Sequence, residues 1–233
     1  MKLRTVILAF AVLAVPFTAH AQKLTGSYVS VGAGINKLQQ EDVDAQLVDS
    51  PSTDIPGEVL TSIGPAIVGA FGHGFKNGLR VEVEGSYRSN HIKGESGLSG
   101  EDFATGTEGK TGLMANGVYE VGGAHVSPYF GGGMGAQFVH EPDANSTSGG
   151  VTVNVEGGTK SSFAYQLIAG AAFPIHSHHL SLTVEYRFLD LVGTRTYKGT
   201  ATIPGVGSFE LEDHSTNDRN HSIVASIRYG FGG

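Results

Sequence analysis

Ten histidines are the first residues in this chain that invite a chemical reading. His176, His178 and His179 sit close enough for their imidazoles to share a transition metal, although a polar turn is the plainer account. His214-Ser215 and His221-Ser222 each set an imidazole beside a hydroxyl, the beginning of a nucleophilic device. Such a device needs hydroxyl, imidazole and an orienting carboxylate within mutual hydrogen-bond reach. Neighbouring residues of a strand face opposite sides, so His221 and Ser222 cannot meet in that way. The glycines at 131–135 lack the lysine and following helix of a phosphate-binding loop. The expectation is therefore no catalytic, cofactor-binding or metal-ligating residue, no cofactor and no enzyme activity.

Charge points elsewhere. Arg80, Glu82, Glu84 and Arg88 alternate with Leu79, Val81, Val83 and Tyr87. Glu185 and Arg187 alternate with Val184, Tyr186 and Phe188, and Arg228 lies among Ile223, Ala225, Ile227, Tyr229 and Phe231. Successive side chains of a strand point to opposite faces, so these segments have one apolar and one charged face. Adding Glu120, the charged faces carry Arg80, Arg88, Arg187 and Arg228 against Glu82, Glu84, Glu120 and Glu185. Equal numbers of opposite charges are what an enclosed, ion-paired network requires, because an isolated buried charge is costly.

The elements that would position these residues are eight strands. Three are strongly patterned, at 79–88, 180–188 and 222–231, and five are weaker, at 27–36, 63–72, 111–122, 126–138 and 163–174. Gly131, Gly133 and Gly135 fall between Phe130, Met134 and Phe138, and glycine and β-branched residues are poor helix formers. The connections alternate in length. Short links at 73–78, 123–125 and 175–179 separate long ones at 37–62, 89–110, 139–162 and 189–220. Tight turns at one end and long loops at the other are the pattern of an outer-membrane barrel with short periplasmic turns. The fold class expected is all-β: an eight-stranded antiparallel transmembrane β-barrel of up-and-down topology.

That environment inverts the usual placement of side chains, with apolar residues facing lipid and the charged set facing the lumen. Aromatics near strand ends (Tyr87, Tyr119, Phe138, Phe163, Phe173, Phe188, Tyr229, Phe231) suit the two membrane interfaces. Eight strands enclose a space that side chains can fill, so no large permanent channel is expected. Closure removes the edge that hydrocarbon cannot tolerate, making the monomer the default state. At the N-terminus, Lys2 and Arg4 precede an apolar run at 6–17 and a small-x-small site at Ala19-His20-Ala21. This reads as a signal peptide at 1–21, with the barrel domain at 22–233. No cysteine is present, so disulfides and thiolate metal sites are excluded.

The net charge of −7 places the chain on the acidic side. The first long connection holds Glu41, Asp42, Asp44, Asp49, Asp54 and Glu58 against Lys37 alone. Nucleic acid is thereby disfavoured as a partner. Solvated loops are the plain reading of these acidic segments, and a surface for a divalent cation or an unknown extracellular ligand is the sharper one.

Three segments, VSPYFGGGMG at 126–135, VEYRFL at 184–189 and SIVASIRYGF at 222–231, resemble the OmpA-like and opacity-type surface antigen superfamily of Gram-negative bacteria. The resemblance implies a small outer-membrane barrel serving envelope integrity, adhesion or host contact. It also implies outer-membrane lipids and lipopolysaccharide as surroundings, and the barrel assembly machinery as a partner reading the aromatic-ended last strand through Tyr229 and Phe231. Gly232 and Gly233 follow Phe231, a departure from an aromatic last residue. The chain ends at the eighth strand, so no C-terminal peptidoglycan-binding domain is expected. Two further functions stay open beside the structural one: a narrow pore for ions or small solutes, and a lipid A-modifying enzyme, for which His214-Ser215 and His221-Ser222 are the residues concerned.

Overall fold

A computed structural model describes residues 24–39, 41–48, 50–96, 106–123, 125–148, 150–175, 179–216 and 218–231. His176 and His178 lie outside the described residues, as do 1–21 of the expected signal peptide. The strands in chain order are β1 (Gly26–Gln39), β2 (Glu41–Leu47), β3 (Ser50–Thr61), β4 (Gly64–Gly74), β5 (Leu79–Ser96), β6 (Gly106–Glu120) and β7 (Ser127–Glu141). They continue with β8 (Ala144–Ser148), β9 (Val151–Val155), β10 (Gly158–Pro174), β11 (Leu180–Val192), β12 (Arg195–Ile203), β13 (Gly207–Thr216) and β14 (Arg219–Phe231). No helix occurs among the described residues.

Eight of these strands close a barrel. Hydrogen bonding runs β4-β1-β14-β11-β10-β7-β6-β5, and β5 pairs back to β4. Every pairing is antiparallel, and first and last strands meet along Ser27↔Phe231 to Gln39↔Arg219. Each of the eight spans read from the sequence corresponds to one barrel strand. The turn after β4 is tight: Gly78 donates its N–H to the Phe75 carbonyl at 2.9 Å, with φ of +92° at Gly78. Glycine takes this left-handed conformation without the steric cost other residues meet.

Period two governs the whole cylinder. On β14 the residues Asn220, Ser222, Val224, Ser226 and Arg228 are buried, whereas Ile223, Ile227 and Tyr229 are more than half exposed. On β5 Arg80, Glu84, Ser86 and Arg88 are buried while Val81, Val83 and Tyr87 face outward. The outer surface is thus apolar and the enclosed one polar, the arrangement a bilayer selects and water rejects. Outward aromatics form two girdles. Near the short turns, Tyr119 and Phe130 stand 6.0 Å apart and Phe71 and Phe231 6.4 Å apart; at the other end lie Tyr87, Phe138, Phe163 and Tyr165. Phe130 and Phe138 mark the two levels on β7, separated by about 26 Å of strand, or about 20 Å along the axis at a tilt of ~40°.

Among the described residues, the long connections are mostly strand and not irregular loop, which corrects the sequence reading. β5 and β6 run on past the apolar belt, and the others fold into strands that extend from β5 as β5-β3-β2-β13-β12-β9-β8. Three hairpins, β2–β3, β8–β9 and β12–β13, join into one collar at the mouth. The collar's covered face mixes Arg195, Tyr197, Leu211 and Ser215. A face of that mixed character gives no apolar-polar alternation, which is why its strands do not stand out in the sequence.

Candidate functional site

The candidate site is the lumen. Inward positions of antiparallel neighbours face one another across a narrow cylinder, so charged residues placed on alternate positions must meet there. At the level of the short turns, Glu120 on β6 accepts from Arg80 at 2.5 Å and from Arg228 at 3.1 Å, its side chain 3 % exposed. The Arg80 guanidinium lies 4.6 Å from the Tyr129 ring and 5.6 Å from the Tyr28 ring, so aromatic faces share in compensating its charge.

A second cluster lies further in. Arg187 bridges Glu84, in a close ion pair, and Glu185, at 2.6 Å. The surrounding polar groups complete both carboxylates: Tyr129 donates its hydroxyl to Glu185 at 2.7 Å, and Asn116 donates to Glu84 at 2.9 Å. Gln166 donates to Asn116 at 2.7 Å. Glu82 is half-buried and takes a hydrogen bond from Tyr28 at 2.6 Å and one from Asn116 at 3.3 Å.

Towards the mouth the network becomes neutral, then ionic again. Asn36 donates to both Asn90, at 2.7 Å, and Asn220, at 2.9 Å, and accepts from Ser222 at 2.7 Å. Asn220 donates to Asp218 at 2.7 Å. Asp218 pairs with Lys110 at 3.0 Å and with Arg195 at 3.0 Å, Lys110 pairs closely with Glu108, and all four are almost wholly buried. This cluster ties the collar, through Arg195 of β12, to the barrel rim at β6.

The structure therefore brings six of the eight sequence-predicted lumen residues into two ion-paired groups: Arg80, Glu120 and Arg228 in one, Glu84, Glu185 and Arg187 in the other. Glu82 and Arg88 line the same lumen, but neither pairs with an opposite charge among the described residues. Lys110, Glu108, Asp218 and Arg195 were missed because they belong to segments read as loops. Adding them keeps the buried set balanced, with one more acid for each base. Asn36, Asn90 and Asn220 carry no charge to single them out; Asn36 ends a strand read from the sequence, whereas Asn90 and Asn220 fall in segments read as loops.

The remaining candidates stay apart. Tyr229 and Phe231 project outward near the end of β14, their rings stacked at 6.4 Å. His221 points outward, bonded to Tyr186 at 2.7 Å and Gln39 at 2.8 Å, whereas Ser222 is buried in the lumen. His214 bonds to Thr196 at 2.9 Å, and Ser215 accepts from Arg195 at 2.7 Å on the opposite face. Neither His-Ser pair is assembled. His179, the described member of the turn cluster, packs its ring 6.4 Å from Tyr229.

A closed cylinder of eight strands, greasy outside and ion-paired inside, defines the small transmembrane barrels of the bacterial outer membrane. Residues 5–231 match the family model for the outer membrane protein beta-barrel domain, and the chain belongs to that family. A curated "Outer membrane protein" of Gluconacetobacter diazotrophicus is 31% identical over 248 residues, an alignment covering 99% of this chain and 64% of that one. The chain thus spans just under two thirds of that relative's length. Among solved structures, the outer membrane protein OprG of Pseudomonas aeruginosa superposes with a TM-score of 0.59 at 14% identity, over 90% of this chain and 98% of that one. Neisserial surface protein A gives 0.48 at 13% identity, over 90% of this chain and 100% of that one. The OprG likeness supports the fold alone.

Proposed function

We propose that the protein is a structural and surface-contact barrel of the outer membrane, exported by a cleaved leader at 1–21. Its lumen is held shut by ion pairs, and its collar is displayed outward for envelope integrity or adhesion. The single observation that carries this reading is the chain of polar contacts from Arg80, Glu120 and Arg228 at one end to Lys110, Asp218 and Arg195 at the other. Side chains that close on one another across an eight-stranded lumen leave no room for a wide water column. Lipid and lipopolysaccharide surround the apolar belt, and the assembly machinery reads Tyr229 and Phe231 on the last strand. The collar offers the surface for an extracellular ligand, the closed barrel is a monomer, and the protein is not an enzyme.

Planar-bilayer recording of the purified, folded protein tests the reading. The expected result is a quiet membrane or brief small flickers. Stable, large conductance steps would favour the alternative function, a pore for ions or small solutes.

A further inference from the structure

At the mouth-side girdle, Tyr87, Phe138, Phe163 and Tyr165 stand on β5, β7 and β10, but β1 and β14 carry no aromatic there. Their outward residues at that end are Lys37 and Gln39 on β1 and Arg219 and His221 on β14. They are registered as Lys37↔His221 and Gln39↔Arg219. Arg219 is also registered to Asp190, and Asp190 to Tyr165 of the girdle, so the polar patch belongs to the barrel wall and not to the collar.

The patch is rich in donors. The Arg219 side chain is 46 % exposed, and its contact with Asp190 is a long one, 3.6 Å from Nε. Asp190 also accepts the Tyr165 hydroxyl at 2.7 Å. Lys37 gives one of its three hydrogens to the Thr61 carbonyl at 2.7 Å, which leaves two. His221 lies between the Tyr186 hydroxyl at 2.7 Å and Gln39 Oε1 at 2.8 Å. With His221 Nε2 donating to that oxygen, the Gln39 amide is held in place and its NH2 group is a further donor. On the outward faces of β1, β11 and β14, two cations meet one carboxylate, leaving one positive charge among the described residues.

Below the patch the wall turns apolar. Ile35 is registered to Ile223, Ala33 to Ala225 and Val31 to Ile227. The four larger side chains are each more than half exposed, and the alanine pair between them makes a shallow recess. Cationic and amide donors above an apolar track match a lipid that carries a phosphate above its acyl chains. We infer that Lys37, Gln39 and Arg219 form a docking site for one phosphorylated outer-leaflet lipid, with an acyl chain laid over Ile35, Ala33, Ile223 and Ala225. The inference rests on the outer-membrane placement proposed above and not on the sealed lumen, because none of these side chains faces inward.

Native mass spectrometry of the full barrel, folded in detergent micelles, tests the site with bisphosphorylated lipid A as the probe. The wild type should retain one lipid A and bind the dephosphorylated form about tenfold more weakly, and excess inorganic phosphate should not displace the lipid. Lys37→Gln and Arg219→Gln should each weaken retention about tenfold, the loss of one hydrogen bond to a charged group. Lys76→Gln, which removes an exposed cation at the opposite end, should leave retention unchanged. Heat-modifiable migration shows whether each variant is folded; should one fail, the two forms of lipid A on the wild type still decide. Equal retention of both forms overturns the site, as does displacement by inorganic phosphate or an equal loss in Lys76→Gln. A wild type that retains lipid A in neither form would overturn the site and count against the outer-membrane reading as well.

Discussion

Glu84 shows how single residues make the lumen. It is wholly buried, pairs with Arg187 and accepts from Asn116 at 2.9 Å, so its charge is compensated from two strands. Removing one member of a buried pair leaves the other charge exposed to a poor solvent, at a cost of about 3–5 kcal/mol. Glu84→Leu should therefore lower unfolding free energy by about 3 kcal/mol, measured by urea titration in lipid vesicles. Adding Arg187→Leu should recover part of that loss, because the stranded guanidinium is gone. A double variant no more stable than the single one would mean that packing, not charge, dominates at this position. These charged residues were legible in sequence because Glu84, Glu185 and Arg187 interrupt apolar runs at every second position. Arg195 and Asp218 carry the same charges but sit among polar neighbours, so no contrast exposed them.

At the scale of strands, β6 and β7 leave no room for a side chain at Gly135. A Cβ at Gly135 would lie 2.0 Å from the Leu113 carbonyl oxygen and 2.8 Å from the Met114 Cα. These are backbone atoms, which cannot swing aside. Gly135→Ala should force β6 and β7 apart and reduce the folded, heat-modifiable fraction on gel electrophoresis, whereas Ala136→Gly should leave it close to wild type. The collar makes its own prediction. Arg195 joins β12 to Asp218 at 3.0 Å and to Ser215 at 2.7 Å. Arg195→Ala should speed amide exchange in β12 and β13 by about tenfold, the loss of roughly one charged hydrogen bond, while exchange in β10 and β11 stays slow. Equal loosening of barrel and collar would show that they open as one unit. The eight barrel strands were readable because lipid on one face and charge on the other impose a strict alternation. Collar strands such as β12 and β13 meet water on one side and a mixed surface of Tyr197, Leu211 and Ser215 on the other, so the same periodicity carries no contrast.

For the whole molecule, the account depends on which face of each strand meets acyl chains. Val184, Ile223 and Ile227 point out of the cylinder, and Val68, Val118 and Val224 point in. A soluble barrel with the same strand order would show the opposite preference, and its charged residues would meet bulk water instead of one another. The distinction also decides how the lumen polar network is to be understood. Inside the cylinder it is a seal, whereas outside it would be an ordinary hydrated surface. Methyl-labelled protein in lipid nanodiscs reports the difference without any substitution, through nuclear Overhauser contacts between lipid acyl chains and side-chain methyl groups. The predicted result is acyl-chain cross-peaks at Val184, Ile223 and Ile227 and none at Val68, Val118 and Val224. Cross-peaks at the second set with none at the first would contradict the account.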